Sequence, residues 1–203
     1  MSLLFSTAYL PPVKYILLAI QNGSIILDAH EHFVKQSYRS RCSIYGPNGK
    51  QDLIIPVVHT GLFTLPVKEV KIHNESRWQK IHWRSLEAAY KNSPFFEFYE
   101  DDLRPFYEKK YEYLFDFNLD LLKTIFRIKK SKVEIKLTEK YEASYPELKD
   151  MRNYFHPKNN FESVGIYHQV FADRHGFIDR LSYLDYLFNE PTGTLRTTGT
   201  LSR

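Results

Sequence analysis

The chain has 203 residues, 43% of them hydrophobic and 26% charged, enough apolar matter for one or at most two cores and too much for a disordered polymer. Its 28 Lys and Arg face 24 Asp and Glu in an interleaved pattern, a formal charge of +4 that implies no nucleic-acid partner. Eight glycines exclude a collagen-like chain, a single cysteine, Cys42, excludes an internal disulfide, and the longest apolar run, Ile16 to Ile20, falls far short of the ~20 residues of a membrane span.

Leu3 to Tyr9 reads as a short buried strand, stopped by Pro11-Pro12, which also suit the start of a helix. Leu3 to Ile20 has no basic leader region, is broken by those prolines and Lys14, and lacks a cleavage pattern, so it is expected to be mature fold in the cytoplasm. Val13, Ile16, Leu17 and Ile20 recur at helical spacing, Gly23 is placed to end the helix, and Ser24 to Ala29 is a second strand. This compact βαβ unit predicts two parallel, neighbouring strands with a right-handed crossover. Arg41 to Tyr45 and Gln51 to Val58 form a hairpin around Gly46-Pro47-Asn48-Gly49. A loop over His59 to Leu65 and a strand over Val67 to Ile72 follow.

Asn74 is placed to cap a helix whose inner face is Trp78, Ile81, His82, Leu86, Ala89 and Tyr90, ended by Ser93-Pro94. Two more helices are expected over Asp102 to Leu114 and Asn118 to Arg127, then a strand over Val133 to Leu137. From Tyr141 to Glu162 periodicity fades over about twenty residues, a length that compact domains keep for functional loops. A strand over Ile166 to Phe171 and a helix around Leu181 to Phe188 complete the pattern. The expected fold is α/β: an N-terminal βαβ unit in a mixed sheet flanked by helices, with a helical middle segment. Residues 1–190 form one domain in this reading, and 191–203 a loose tail.

Several side chains carry candidate chemistry. His82 lies on an apolar helix face, where it is either a satisfied core histidine or a general base lining a pocket. Tyr38, Arg39 and Arg41 follow the second strand, near the sheet edge where open α/β sheets bind ligands; arginine forks suit phosphate or carboxylate, and a tyrosine can stack on a sugar or base. The first turn, Tyr9 to Lys14, leads into a helix N-terminus but has no glycine-rich phosphate motif. Asp185 sits among Leu184, Leu187 and Phe188 and needs a partner, whether a catalytic histidine or a structural one. Asp28, His30 and His32 could share a metal, but no third histidine has suitable spacing and strand-end polarity explains them better, so no metal site is expected. Cys42 reads as a buried structural thiol, and the basic run Arg127 to Lys132 as a helix-end complement to the dipole. Tyr154, His156 and Lys158 could close the long loop over a ligand.

The residues Ala8-Tyr9-Leu10-Pro11-Pro12 with Tyr15, Tyr38-Arg39-Ser40-Arg41, Asn48-Gly49 and Ile55-Pro56-Val57 resemble the WbqC-like family, named after a protein of bacterial O-antigen gene clusters. The most specific block is Asn74, Trp78, His82, Tyr90 and Pro94-Phe95-Phe96, followed by Asp116-Phe117-Asn118. Tyr167-His168-Gln169-Val170-Phe171 and Leu181-Ser182-Tyr183-Leu184-Asp185 resemble the family's terminal motif. Departures stand at Thr7-Ala8, Lys14 and Ala29-His30, and the region Asn153 to Phe161 is shorter than in many members. The resemblance implies a cytoplasmic protein of bacterial envelope polysaccharide synthesis acting on a small molecule such as a nucleotide sugar. The leading expectation is acyl or aminoacyl transfer to an activated amino sugar, with His82 and Asp185 catalytic and Tyr9, Tyr38, Arg39, Arg41, Asn74 and Trp78 binding substrate. The rivals are a non-catalytic binding or scaffold protein of the same pathway and, from a faint similarity of the first turn to nucleotidylyltransferases of the HIGH type, nucleotidyl transfer. The residues specify neither cofactor nor oligomeric state.

Overall fold

The computed structural model describes residues 2–58 and 65–190. The βαβ unit is present as β1 (Leu3–Ser6), α1 (Val13–Asn22) and β2 (Ser24–Asp28), with Leu3 to Ser6 in parallel register with Ile25 to Asp28. Gly23, at φ +70°, turns the chain out of α1 and donates its amide to the carbonyls of Ala19 and Ile20. β1 stops at Ser6 rather than Tyr9 because the chain bends there: the Tyr9 amide goes to Tyr38 O at 2.8 Å, and Leu10 takes φ +43°.

The hairpin is β3 (Arg41–Gly46) and β4 (Gly49–Ile54), antiparallel, with Gly46 opposite Gly49. Pro47 therefore occupies the first turn position, where a φ of about −65° excludes the type I′ turn that Asn-Gly usually signals. The positive φ falls instead on Gly49, at +99°. β4 is shorter than expected: the Ile55 amide still reaches Ser40 O at 2.8 Å in the hairpin register, but Pro56 has no amide to carry the ladder on and Val57 bridges Ile72 instead. In place of a strand over Val67 to Ile72 there is a 3-10 turn, Val67–Glu69, behind Pro66, and Lys71 bridges Tyr113.

α2 (Trp78–Tyr90) buries Trp78, His82, Leu86, Ala89 and Tyr90 as the spacing predicts, but Ile81 is 60% exposed and Trp83 packs inward in its place. The N-cap is Arg77, without a side-chain bond; Asn74 lies too far upstream and donates Nδ2 to Tyr111 O at 2.7 Å instead. The two expected helices become three: α3 (Phe96–Leu103), α4 (Pro105–Glu108) and α5 (Leu114–Ile128). Pro105 has no amide to continue α3, and α5 starts early because Leu114 and Phe117 belong to the same buried face as Leu121 and Ile125.

β5 (Glu134–Leu137) joins β2, and β6 (Lys149–Asp150) joins β1 on the other side, giving an all-parallel order β5-β2-β1-β6. The segment from Ile166 to Phe171 is irregular, followed by a single turn, α6 (Ala172–His175), and then α7 (Tyr183–Asn189), capped by Ser182. Its alternation is real, with Ile166 86% exposed and Tyr167 and Gln169 buried. The strand-like pairing, however, is made by a side chain: the Gln169 amide donates to Ile178 O at 2.8 Å and accepts from Ile178 N at 2.9 Å. One cluster of buried apolar side chains links the layers, with Phe5, Ile16, Leu86, Phe117, Leu121 and Phe188 among its members. The fold is thus mixed α/β, with a parallel four-stranded sheet, a small antiparallel hairpin and seven helices among the described residues. The expected tail, 191–203, and most of the His59 to Leu65 loop lie outside the described residues.

Gly23→Ala forces a side chain into the left-handed region where no atom crowds the new Cβ, so the cost is conformational alone. The expected loss is about 1 kcal/mol, read as a lower urea midpoint at unchanged slope. An unchanged midpoint would contradict this account of the α1 terminus.

Candidate functional site at the switch point of the parallel sheet

β1, β2 and β6 end on one edge, at Ser6, Asp28 and Asp150, and the strand order reverses between β1 and β6. Open parallel sheets bind ligands at such a switch point, because the two chain exits diverge and leave a crevice. Here Thr7 and Ala8 leave β1, Met151 and Arg152 leave β6, and Tyr38 and Arg39 close the side, around a cavity of about 10 Å³. That is room for about one water.

The edge is held by buried charge. Arg39 forks onto Glu31, with Nε to Oε1 at 2.8 Å and Nη2 to Oε2 at 2.5 Å, and Nη2 also reaches Ser6 Oγ at 2.8 Å. Ser6 Oγ lies 2.9 Å from Glu31 Oε2 and 3.0 Å from Arg152 O, so its single proton serves either acceptor. Burial pushes the Glu31 carboxyl upward, against the pull of Arg39 and Ser6. Arg152 donates to Asp28 Oδ2 at 2.8 Å, to both Asp150 oxygens, and to the carbonyls of Glu142 and Ala143 at 3.0 and 3.1 Å. The long polar segment is thereby wrapped around one guanidinium, which also faces the Tyr145 ring at 5.3 Å. Asp28 is fully engaged, since its Oδ1 accepts the amides of His30 and Glu31 and the Thr138 hydroxyl, each at 3.0 Å. His30 approaches Lys68 Nζ at 3.4 Å and His32 stacks on Tyr141, so these histidines do not converge with Asp28. His59 lies outside the described residues.

The mouth of this edge is basic. His156 has a depressed pKa, caused first by burial and then by the positive charges of Lys158, Arg39 and Arg41. Tyr38 is buried, and its phenol is pushed up to about 12 by burial, with Arg180 the cation that opposes the shift. Arg41 is 22% exposed and stands 3.9 Å from Asp52.

His82 is elsewhere. It is 3% exposed, its Nδ1 lies 2.9 Å from Tyr9 Oη, and Tyr9 Oη lies 3.0 Å from Tyr107 Oη. Trp78 meets the ring edge-on at 5.1 Å, and its own indole N–H is buried without a partner among the described residues. Burial lowers the His82 pKa to about 4, against a hydrogen bond to the backbone of Ile54. The ring is therefore neutral near pH 7, and with its N–H directed to the Ile54 carbonyl, Nδ1 accepts from Tyr9. Asp185 does not touch His82. Its Oδ2 accepts from Tyr167 Oη at 2.8 Å and Gln169 Nε2 at 2.9 Å, and the Tyr90 hydroxyl faces it. Burial away from any bonded cation raises it to about 6.

Structure thus gathers Tyr38, Arg39, His156 and Lys158 at the sheet edge with Arg41 beside them, groups Tyr9, Trp78 and His82 in a sealed aromatic cluster, and places Asn74 and Asp185 in separate tethers. Sequence reasoning missed Ser6, Glu31, Tyr107 and Arg152. The one available signal was for Arg152, an arginine inside the aperiodic segment.

The family model described as the WbqC-like protein family matches residues 7–154, which include Arg39, His82 and Arg152. Over 119 residues the chain is 33% identical to a protein of Mycobacterium tuberculosis (strain ATCC 25618 / H37Rv), Rv1507c, described as uncharacterized. That match covers 58% of this chain and 51% of the relative, so the aligned stretch spans about half of the curated relative's length. No solved structure matches the chain.

Arg39→Met leaves Glu31 buried and uncompensated, with an expected loss of about 3–5 kcal/mol, whereas Arg39→Met with Glu31→Met recovers most of it. Urea unfolding of the single and double variants decides; equal losses would show that the pair is not the cause. A second expectation concerns pH. His82, near 4 when folded and 6.5 in its ordinary state, adds stability as pH rises through that window, because the unfolded chain binds the extra proton. Asp185, about 6 when folded against 3.8, acts in the opposite sense between those values. Asp185→Asn should therefore steepen the gain in stability from pH 4 to 6, and His82→Gln should flatten or reverse it, as read from unfolding midpoints; parallel profiles would sink this assignment.

Proposed function

The chain belongs to the WbqC-like protein family, and from that premise we propose that it binds an anionic small molecule, a nucleotide sugar, in the cytoplasmic stage of bacterial envelope polysaccharide metabolism. The observation that carries the reading is the gathering of Arg39, His156 and Lys158 at the switch point of a parallel sheet, with Arg41 adding its field from the far side of the Tyr38 to Arg41 segment. A diphosphate is held at the mouth by the exposed cation Lys158, with the half-buried His156, its pKa depressed, as a neutral hydrogen-bond donor, while Arg39, already committed to Glu31, contributes field rather than a free fork. Tyr38 supplies a wall for the sugar or base. Acyl or aminoacyl transfer is the reaction this binding serves, with His82 as base. In the geometry described, Nδ1 of His82 is occupied by Tyr9, so transfer requires Tyr9 to swing away and open a path from the sheet edge. Asp185, by its place between Tyr167 and Gln169, positions the C-terminal segment rather than His82.

The sealing of His82 favours a second reading, a non-catalytic binding or scaffold protein of the same pathway. Nucleotidyl transfer is the weakest, since the first turn offers no histidine to a phosphate.

A thermal-shift panel of a UDP-amino sugar, UDP, ATP and an acyl-CoA tests the proposal, because a ligand at 100 times its Kd stabilises the folded state by about 2.7 kcal/mol. The UDP-sugar is expected to stabilise the wild type and to bind at least tenfold more weakly to a His156→Ala, Lys158→Ala variant. No shift with any compound would reject small-molecule binding in favour of the scaffold. Binding retained in His82→Gln with turnover lost would assign His82 to chemistry.

A further inference from the structure

The segment from Tyr38 to Arg41 has two sides. Tyr38 and Arg39 border the switch-point cavity, whereas Ser40 and Arg41 border a larger hollow of about 230 Å³ on the hairpin side. The apolar wall of that hollow arises where β4 ends. Ile54 pairs with Arg41 and the Ile55 amide carries that register on to Ser40 O, after which Pro56 has no amide to pair and Val57 bridges Ile72, so Ile54 to Val57 run as one extended strip past the end of the hairpin. Phe33 closes the far side. Ile54, 48% exposed, keeps an apolar face open to solvent at the mouth.

Arg41 stands on this mouth with donors in reserve. The ion pair it makes is long, 3.9 Å to Asp52 Oδ2, and the other Asp52 oxygen is held by the Ser43 hydroxyl at 2.6 Å. Its Nε is buried without a hydrogen-bond partner among the described residues. A guanidinium carries five N–H donors in a planar fork, and a half-buried fork with an unused edge is matched by a planar anion. Arg41 and Lys35 both line the hollow and Asp52 offsets part of their charge, so the net positive charge left is small and favours a monoanion over a phosphate dianion. The hollow lies just below the roughly 300–1,000 Å³ of sites for drug-sized ligands, so it suits a body of a few carbons.

We propose that this hollow is a binding site for a small amphiphilic carboxylate, its carboxylate forked on Arg41 and its aliphatic chain laid along Ile54 to Val57. The site is separate from the switch point and does not depend on a nucleotide sugar binding there.

Titration calorimetry with hexanoate, hexanamide, hexyl phosphate and acetate tests it on the wild type, Arg41→Met and Ile54→Glu. Both substitutions fall on partly exposed side chains, and thermal unfolding verifies that the variants are folded. Hexanoate is expected to bind the wild type at least tenfold more tightly than the other three compounds, and to lose at least tenfold in each variant. Failure of hexanoate to bind the wild type would overturn the proposal. So would equal binding of hexanamide or hexyl phosphate, or undiminished affinity in Arg41→Met, since each removes the carboxylate fork. Because Ile54→Glu leaves His156 and Lys158 intact, a lost response to UDP-sugar and a lost response to hexanoate would be told apart.

Discussion

Taking a guanidinium out of water costs several kcal/mol unless carboxylates and carbonyls replace its hydration, and this fold does so twice at one sheet edge, with Arg39 and Arg152. Each is satisfied by groups distant in sequence: Glu31 and Ser6 for Arg39, and Asp28, Asp150 and two carbonyls for Arg152. Ser6 touches both systems, so the ends of β1 and β6 and the segment after β2 are held as one network. β6 is only two residues long, too short for its ladder to hold it unaided, and Arg152 is what keeps it beside β1.

The two other buried polar centres are built differently. His82 and Asp185 are surrounded by phenols, indoles and amides rather than by opposite charge. Burial then acts on them in opposite senses, favouring a neutral ring in one and a protonated carboxyl in the other. Their hydrogen bonds serve fold specificity: Tyr9 and Tyr107 join the first turn to the helical layer, and Tyr167 and Gln169 join the irregular C-terminal segment to α7.

This division of labour shapes what the surface can bind. A cation fully paired inside the fold cannot also hold a ligand, which is why Arg39 supports the switch point while Lys158 stands exposed near it and Arg41 opens on the hairpin side. Segment Tyr38 to Arg41 therefore acts as a ridge, with Tyr38 and Arg39 turned toward the parallel sheet and Ser40 and Arg41 toward the hairpin.

Local chemistry determined much of the architecture. Gly23, Pro11-Pro12 and the 3.6-residue spacing in α1 dictate a βαβ unit, and the spacing of Trp78, His82, Leu86, Ala89 and Tyr90 dictates most of the buried side of α2, Ile81 and Trp83 excepted, because each depends on residues close in sequence. The family resemblance was legible for the same reason, in short contiguous motifs. Tertiary structure alone decided that the alternation around Gln169 pairs through a side-chain amide instead of a ladder, and that Asn74 tethers a loop instead of capping a helix. It alone decided, too, that Arg39 is sealed by Glu31 while Arg41, two residues on, is open. Neighbouring arginines are chemically identical in a sequence; what separates them is which carboxylate the folded chain brings within reach, and that is a long-range fact.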